Sequence, residues 1–158
     1  LPIHEAARYW DVDQIQELIS KGVNPDALDE PGGRTPLFFA CCEESNFTAA
    51  LSNDEGHADA QVACAKVLLR AGASAKAANV YGLGPIHCAA ACRRAGACLV
   101  ELLIVYGADP DQSTGGGRTP LHAAAQHGHT KKKSMRRRPK SKKMRGGVTE
   151  SSRFDQTT

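Results

Sequence analysis

The sequence predicts an all-α solenoid, in which helix-turn-helix units repeat along the chain and extended finger loops join them. One observation is a recurring word: Leu1-Pro-Ile-His-Glu-Ala-Ala7, Thr35-Pro-Leu-Phe-Phe-Ala40, Gly84-Pro-Ile-His-Cys-Ala-Ala90 and Thr119-Pro-Leu-His-Ala-Ala-Ala125. Thr before Pro opens a helix, because the hydroxyl caps a free backbone N–H and Pro at the first position has none to lose. A second observation is the close of each unit. Glu17-Leu-Ile-Ser-Lys-Gly22, Val67-Leu-Leu-Arg-Ala-Gly72 and Leu102-Leu-Ile-Val-Tyr-Gly107 are apolar helical stripes stopped by Gly, the residue that enters the left-handed region without a Cβ penalty.

The Thr-Pro-Leu-His word, the Gly-stopped second helix and their consistent order resemble the ankyrin repeat over roughly residues 1–129. The units divide as 1–33, 34–82, 83–116 and a partial 117–129, followed by a basic tail at 130–158.

In the first unit, Gly22 lies twenty positions after Pro2. Gln14 and Glu17 stand in its second helix where internal repeats of the family place apolar residues, which reads as the polar outer face of an N-terminal cap. Trp10 sits where the family has a helix-ending Gly, and reads either as core or as an anchor for a partner.

The second unit is longer: Gly72 follows Pro36 by thirty-six positions, so sixteen residues are inserted. They fall around 45–60, between the two helices, and their Asn, Asp, Gly and Ser content predicts a loop, with Phe47 to Leu51 able to add a helical turn. Such a loop is either a tolerated insertion or a docking element.

The third unit is the most complete. Ala89, Ala90, Ala91 and Ala95 allow close packing, and Val100, Leu102, Leu103 and Ile104 supply the second helix. The fourth opens well and then fails, because Lys132 and Lys133 stand where an apolar stripe belongs. Burying such unpaired ammonium groups costs several kcal/mol each. The apolar side of helix 121–127 is therefore left without its normal partner, and residues 130–158 are expected to be disordered.

Charge is divided along the chain. Residues 1–130 hold nine basic and fifteen acidic side chains, whereas 131–145 hold ten basic and none acidic. Lys131, Lys132, Lys133, Arg136, Arg137, Arg138, Lys140, Lys142, Lys143 and Arg145 match both nuclear-import and polyanion-binding compositions, and equally an incidental solvated tail. No aromatic residue interleaves them, which disfavours single-strand stacking.

Six cysteines without a Cys-x-x-Cys pair fit a reducing compartment, so the expected location is cytoplasmic or nuclear. No apolar run approaches the roughly 18 residues of a membrane span. The chain begins with Leu, partway into a repeat, which suggests a piece of a longer protein.

His4, His87 and His122 recur at the fourth position of the word. In the family this imidazole bonds the Thr hydroxyl and ties the helix start to the preceding loop, which is a structural role. Neither Cys88 and Cys92 beside His87 nor the group His122, His127 and His129 shows zinc-site spacing. No metal or cofactor is expected. No nucleophile-and-base set or phosphate loop is present in the sequence, and Gly115-Gly-Gly117 lacks the Lys-Ser/Thr of one. The chain does not read as an enzyme.

The ankyrin resemblance implies a monomeric scaffold or adaptor that binds another protein on a concave face of first helices and finger tips. Carried onto this chain, that face comprises Glu5, Arg8 and Tyr9; Phe39, Cys42 and Glu43; Cys88, Ala91 and Cys92; and Ala123, Gln126 and His127. The tips add Asp29, Glu30, Val80, Tyr81, Ser113 and Thr114. The aromatic residues Tyr9, Phe39 and Tyr81 lead as anchors. Two other readings stand beside it. One is a nuclear or nucleic-acid-associated protein acting through the tail. The other is part of a ubiquitin-ligase substrate receptor, whose ligase-recruiting box is not found in these residues.

Overall fold

The computed structural model describes residues 1–43 and 56–128. Among these residues there are seven helices and no strand: α1 (Pro2–Arg8), α2 (Val12–Ser20), α3 (Pro36–Cys41), α4 (Gly56–Arg70), α5 (Pro85–Ala91), α6 (Gly96–Val105) and α7 (Pro120–Gln126). Helices α1 and α2, α3 and α4, and α5 and α6 form hairpins. The first helices line up as one row, α1 on α3 on α5 on α7, and the second helices as another, α2 on α4 on α6. The core lies between the rows. Ile3, Ile15, Leu37, Leu68, Ile86, Leu99 and Leu103 are fully buried there, drawn from every helix but α7.

The helix ends follow the sequence signals. Asp11 caps α2, its carboxylate accepting from the Gln14 N–H at 3.0 Å, and the Thr35 hydroxyl accepts from the Phe38 N–H at 3.2 Å. After the second helices, Gly22, Gly72 and Gly107 take φ of +83°, +98° and +91°, and the chain turns back toward the first-helix row.

Trp10 takes the same left-handed conformation, with φ +54°, and is the only non-glycine among the described residues to do so. The strain is offset by contacts a glycine could not make. Its indole N–H donates to the Ala40 carbonyl at 3.2 Å, and its ring meets His57 edge-on at 6.1 Å. Of its two sequence readings, part-core is the observed one.

The insertion in the second unit is shorter as a loop than expected, because α4 already begins at Gly56. Residues 56–60 are helix because the side chains there have partners: His57 packs on Trp10 and Ala58 on the core. Buried Gln61 donates to the Ala40 carbonyl at 3.1 Å, so that one carbonyl at the end of α3 ties α4 and Trp10 to it. Phe47 to Leu51, and the tail expected to be disordered at 130–158, lie outside the described residues.

Candidate functional site

The fingers between units are short hairpins, each locked by one polar side chain at an equivalent place. Asp29 Oδ1 accepts from the Arg34 N–H, Asn79 Oδ1 from the Leu83 N–H at 3.0 Å, and Thr114 Oγ1 from the Arg118 N–H at 3.1 Å. Backbone bonds then join finger to finger: the Val80 N–H donates to the Gly32 carbonyl at 3.4 Å and the Gly115 N–H to the Tyr81 carbonyl at 3.1 Å. Ser74 N–H adds a bond to Asp26 at 2.9 Å. The finger tips are thereby held in a row.

Histidines fasten the fingers to the helices, but in the opposite direction to the one expected. The His122 ring does bond its own Thr119 hydroxyl, at 2.8 Å. However, His4 Nε2 reaches forward to the carbonyls of Ala27 at 2.8 Å and Arg34 at 3.2 Å. His87 Nε2 likewise reaches Gln112 O at 2.9 Å and Arg118 O at 3.3 Å. The ring therefore ties the first helix to the finger that follows its unit, bonding the Ala27 and Gln112 carbonyls and sharing those of Arg34 and Arg118 with the Asp29 and Thr114 N–H groups. Phe38 holds this position in the second unit and makes no such bond.

The predicted face divides into three groups. Glu5, Arg8, Tyr9, Glu30, Val80, Tyr81, Ser113, Gln126 and His127 are exposed. Tyr9 is 61%, Val80 66% and Tyr81 71% exposed, so these are the large apolar groups that the fold leaves in solvent on the predicted face.

A second group is half-buried and engaged within the fold. Asp29 pairs with the Arg34 guanidinium at 2.6 Å. Desolvation opposes ionisation of Asp29, but hydrogen bonds from the Arg34 side chain and backbone outweigh it and hold the carboxyl below its usual value. Thr114 closes its own hairpin, and Glu43 accepts from the Arg93 N–H at 2.8 Å, linking units two and three. Cys88 lies with its Sγ 2.9 Å from that of Cys42. Of the other variable positions, Ala91 and Ala123 are half-buried and Cys92 is buried.

Phe39 corrects the expectation of an exposed anchor. It is 4% exposed, meets His4 edge-on at 5.6 Å, and has the Arg8 and Arg34 guanidinium carbons 5.1 and 4.6 Å from its ring centre. Close contact between α1 and α3 encloses the ring, and its aromatic character signals packing in this place. The basic cluster from Lys131 to Arg145 lies outside the described residues.

Sequence reasoning missed Leu28, exposed beside the first finger, and the exposed end of α6 at Val105 and Tyr106. The equivalence of Asp29, Asn79 and Thr114 was available as a signal, since each precedes a Gly-containing turn. Between α5, α6 and α7 there is also an open cleft of about 860 Å³, lined in part by Ile86, Ala90, Val100, Pro120, Leu121 and Ala124.

Burial pushes the Cys41 thiol well up and the Cys64 thiol up to about 12, and it raises Cys92 as well. Among the described residues no group of three or more His, Cys, Asp or Glu is placed to hold a metal ion, and no helix is long and apolar enough to cross a membrane.

Comparison with known families agrees with the geometry. A model of ankyrin repeats in three copies matches residues 57–133, and a single ankyrin-repeat model matches residues 1–30. The chain belongs to the ankyrin-repeat family. Ankyrin repeats bind other proteins, and the family is in general a non-catalytic binding module.

Among curated proteins, the ankyrin array is similar to ankyrin repeat and SOCS box protein 11 of Danio rerio, 36% identical over 76% of this chain and 34% of that protein. It is 34% identical to the E3 ubiquitin-protein ligase KEG of Arabidopsis thaliana, over 70% of this chain and 6% of that protein. It is 32% identical to ankyrin repeat and SOCS box protein 16 of Mus musculus, over 79% and 25%. The chain thus spans about a third or less of the length of these relatives.

Proposed function

We propose that this ankyrin array is an adaptor that binds another protein across the row of first helices and the finger tips. The observation that carries the reading is the exposure of Tyr9, Val80 and Tyr81 on an otherwise tightly bonded framework. Large side chains in solvent on a rigid support lose little entropy on binding and bury much area, which is how anchors at interfaces work. The chain acts as a monomer in the cytoplasm or nucleus, and no catalytic step is part of the reading.

Affinity capture with the full chain, followed by a double substitution Tyr9→Ala and Tyr81→Ala, tests it. The captured partner's Kd should rise at least tenfold while the far-UV circular dichroism and melting curve are retained. An unchanged Kd with the fold intact removes the face assignment.

The relatives favour a second reading within the same class. Two of them carry a SOCS box by name and a third is an E3 ubiquitin-protein ligase. On this reading the face selects a protein for ubiquitin transfer, and the recruiting element belongs to a longer parent chain. Capture of ligase subunits by the parent chain but not by residues 1–129 supports it.

The composition of the tail favours a third. Ten basic residues between 131 and 145 provide a polyanion or import-receptor ligand. Deleting 131–145 discriminates among them: an adaptor keeps its partner, whereas a tail-driven protein loses its target together with a steep salt dependence.

A further inference from the structure

We propose that Cys42 and Cys88 form a redox modification site, a reversible disulfide that pins the second ankyrin unit to the third along the row of first helices. Cys42 ends α3 and Cys88 lies in α5, 46 residues apart in sequence, yet their Sγ atoms are 2.9 Å apart. Closing to the length of a disulfide, about 2.05 Å, requires a relative movement of roughly 0.9 Å.

The surroundings single out this pair. Cys41 and Cys64 are buried, and the Cys92 Sγ is turned to the Gln61 carbonyl oxygen at 3.5 Å. Cys98 is exposed, but on α6 in the other row. Cys42 and Cys88 are the half-buried thiols, close enough to solvent for a small oxidant and close enough to each other to react. The Cys88 thiol is kept protonated, first by its hydrogen bond with Cys42 and then by burial. Either sulfur can be oxidised first, and the chemistry is the same with the two exchanged.

With hydrogen peroxide as oxidant, the Cys42 thiolate attacks one peroxide oxygen. The O–O bond breaks, one proton is taken up, and sulfenic acid and water result. The Cys88 sulfur then attacks the Cys42 sulfur: the S–S bond forms, the S–O bond breaks, and the departing hydroxide leaves as water with the Cys88 proton. Two thiols lose two electrons and the peroxide becomes two waters. A dithiol reductant reverses the change. The site does not depend on which protein docks on the face.

The test uses the reduced full chain, treated with hydrogen peroxide, quenched with an alkylating reagent and mapped after trypsin digestion. The expected product is intramolecular, lighter by two hydrogens, with peptide 35–66 linked to peptide 77–93 and fragmentation placing the link at Cys42 and Cys88. Alkylation at these two positions should fall at least tenfold relative to Cys64 in the unfolded digest and return after dithiothreitol. The link should survive Cys98→Ser and disappear in Cys42→Ser and in Cys88→Ser.

The wild-type map decides the matter even if a variant misfolds. Oxidation confined to Cys98, a link between other cysteines, or undiminished alkylation of Cys42 and Cys88 overturns the proposal.

Discussion

Helices α5 and α7 are written in nearly the same letters, Pro-Ile-His-Cys-Ala-Ala-Ala and Pro-Leu-His-Ala-Ala-Ala-Gln, but the chain uses them differently. Ile86 in α5 is fully buried, whereas Leu121, its counterpart in α7, is 77% exposed. His87 is buried with two finger carbonyls on Nε2, whereas His122 is exposed and, among the described residues, bonds within its own helix start. Helix α5 is enclosed by α3, α6 and α7, and α7 packs chiefly on α5. A repeat word therefore specifies a helix and its cap, while burial is conferred by the neighbours on either side.

The largest expected contrast is in the core. Ile86→Ala should cost about 2–5 kcal/mol, the range for deleting a fully buried aliphatic side chain, and Leu121→Ala less than about 0.5 kcal/mol. Urea denaturation of both variants measures the difference, and equal costs would mean that α7 is covered in solution.

Next is the histidine pair. His87→Ala strands the Gln112 carbonyl and the Gly84 N–H, at a cost of about 1–3 kcal/mol, while His122→Ala should cost less than about 0.5 kcal/mol. The same denaturation experiment reads it.

Gly96→Ala sharpens the comparison from the other side of α5. Alanine is the better helix former, but its Cβ would stand 2.8 Å from the Ala89 carbonyl oxygen and push α6 away from α5. Thermal melting should show a net loss of about 1–2 kcal/mol. A gain would mean that the two helices separate freely, as α7 is free of any second helix among the described residues.

The smallest effect is in the first finger, where Asp29 and Arg34 make the charged version of a lock that Thr114 and Arg118 make with a neutral hydroxyl. Asp29→Asn should cost about 1 kcal/mol at neutral pH. The folded carboxyl sits below its usual 3.8, so its contribution is complete above that value and is lost as pH falls through the folded pKa. The wild type and Asp29→Asn should therefore converge in stability as pH is lowered toward about 2.

The repeat architecture was readable because the same physical demands recur in every unit. Pro after a capping residue, a 3.6-residue apolar stripe and a left-handed Gly stop are local requirements, written within a few residues of where they act. The expectation that the fourth unit fails rests on a local signal of the same kind, Lys132 and Lys133 in place of an apolar stripe, and those two residues lie outside the described ones.

Particular residues of the candidate face were not legible to the same degree. Tyr9, Val80 and Tyr81 are exposed. Phe39 is not, because its burial depends on Arg8, Arg34 and His4, which come from other elements. Residues 56–60 have the composition of a loop but are helix, since Trp10 and the core supply partners to His57 and Ala58.

By itself, then, the sequence determined the repeating helix pairs, their order and the membership of the ankyrin family, set by short-range hydrogen bonding and periodicity. Only the tertiary structure decided which way the histidines reach, which aromatics face solvent, and that Cys42 meets Cys88. Those outcomes depend on groups that lie about twenty to fifty residues apart along the chain, brought together by stacking of one unit on the next.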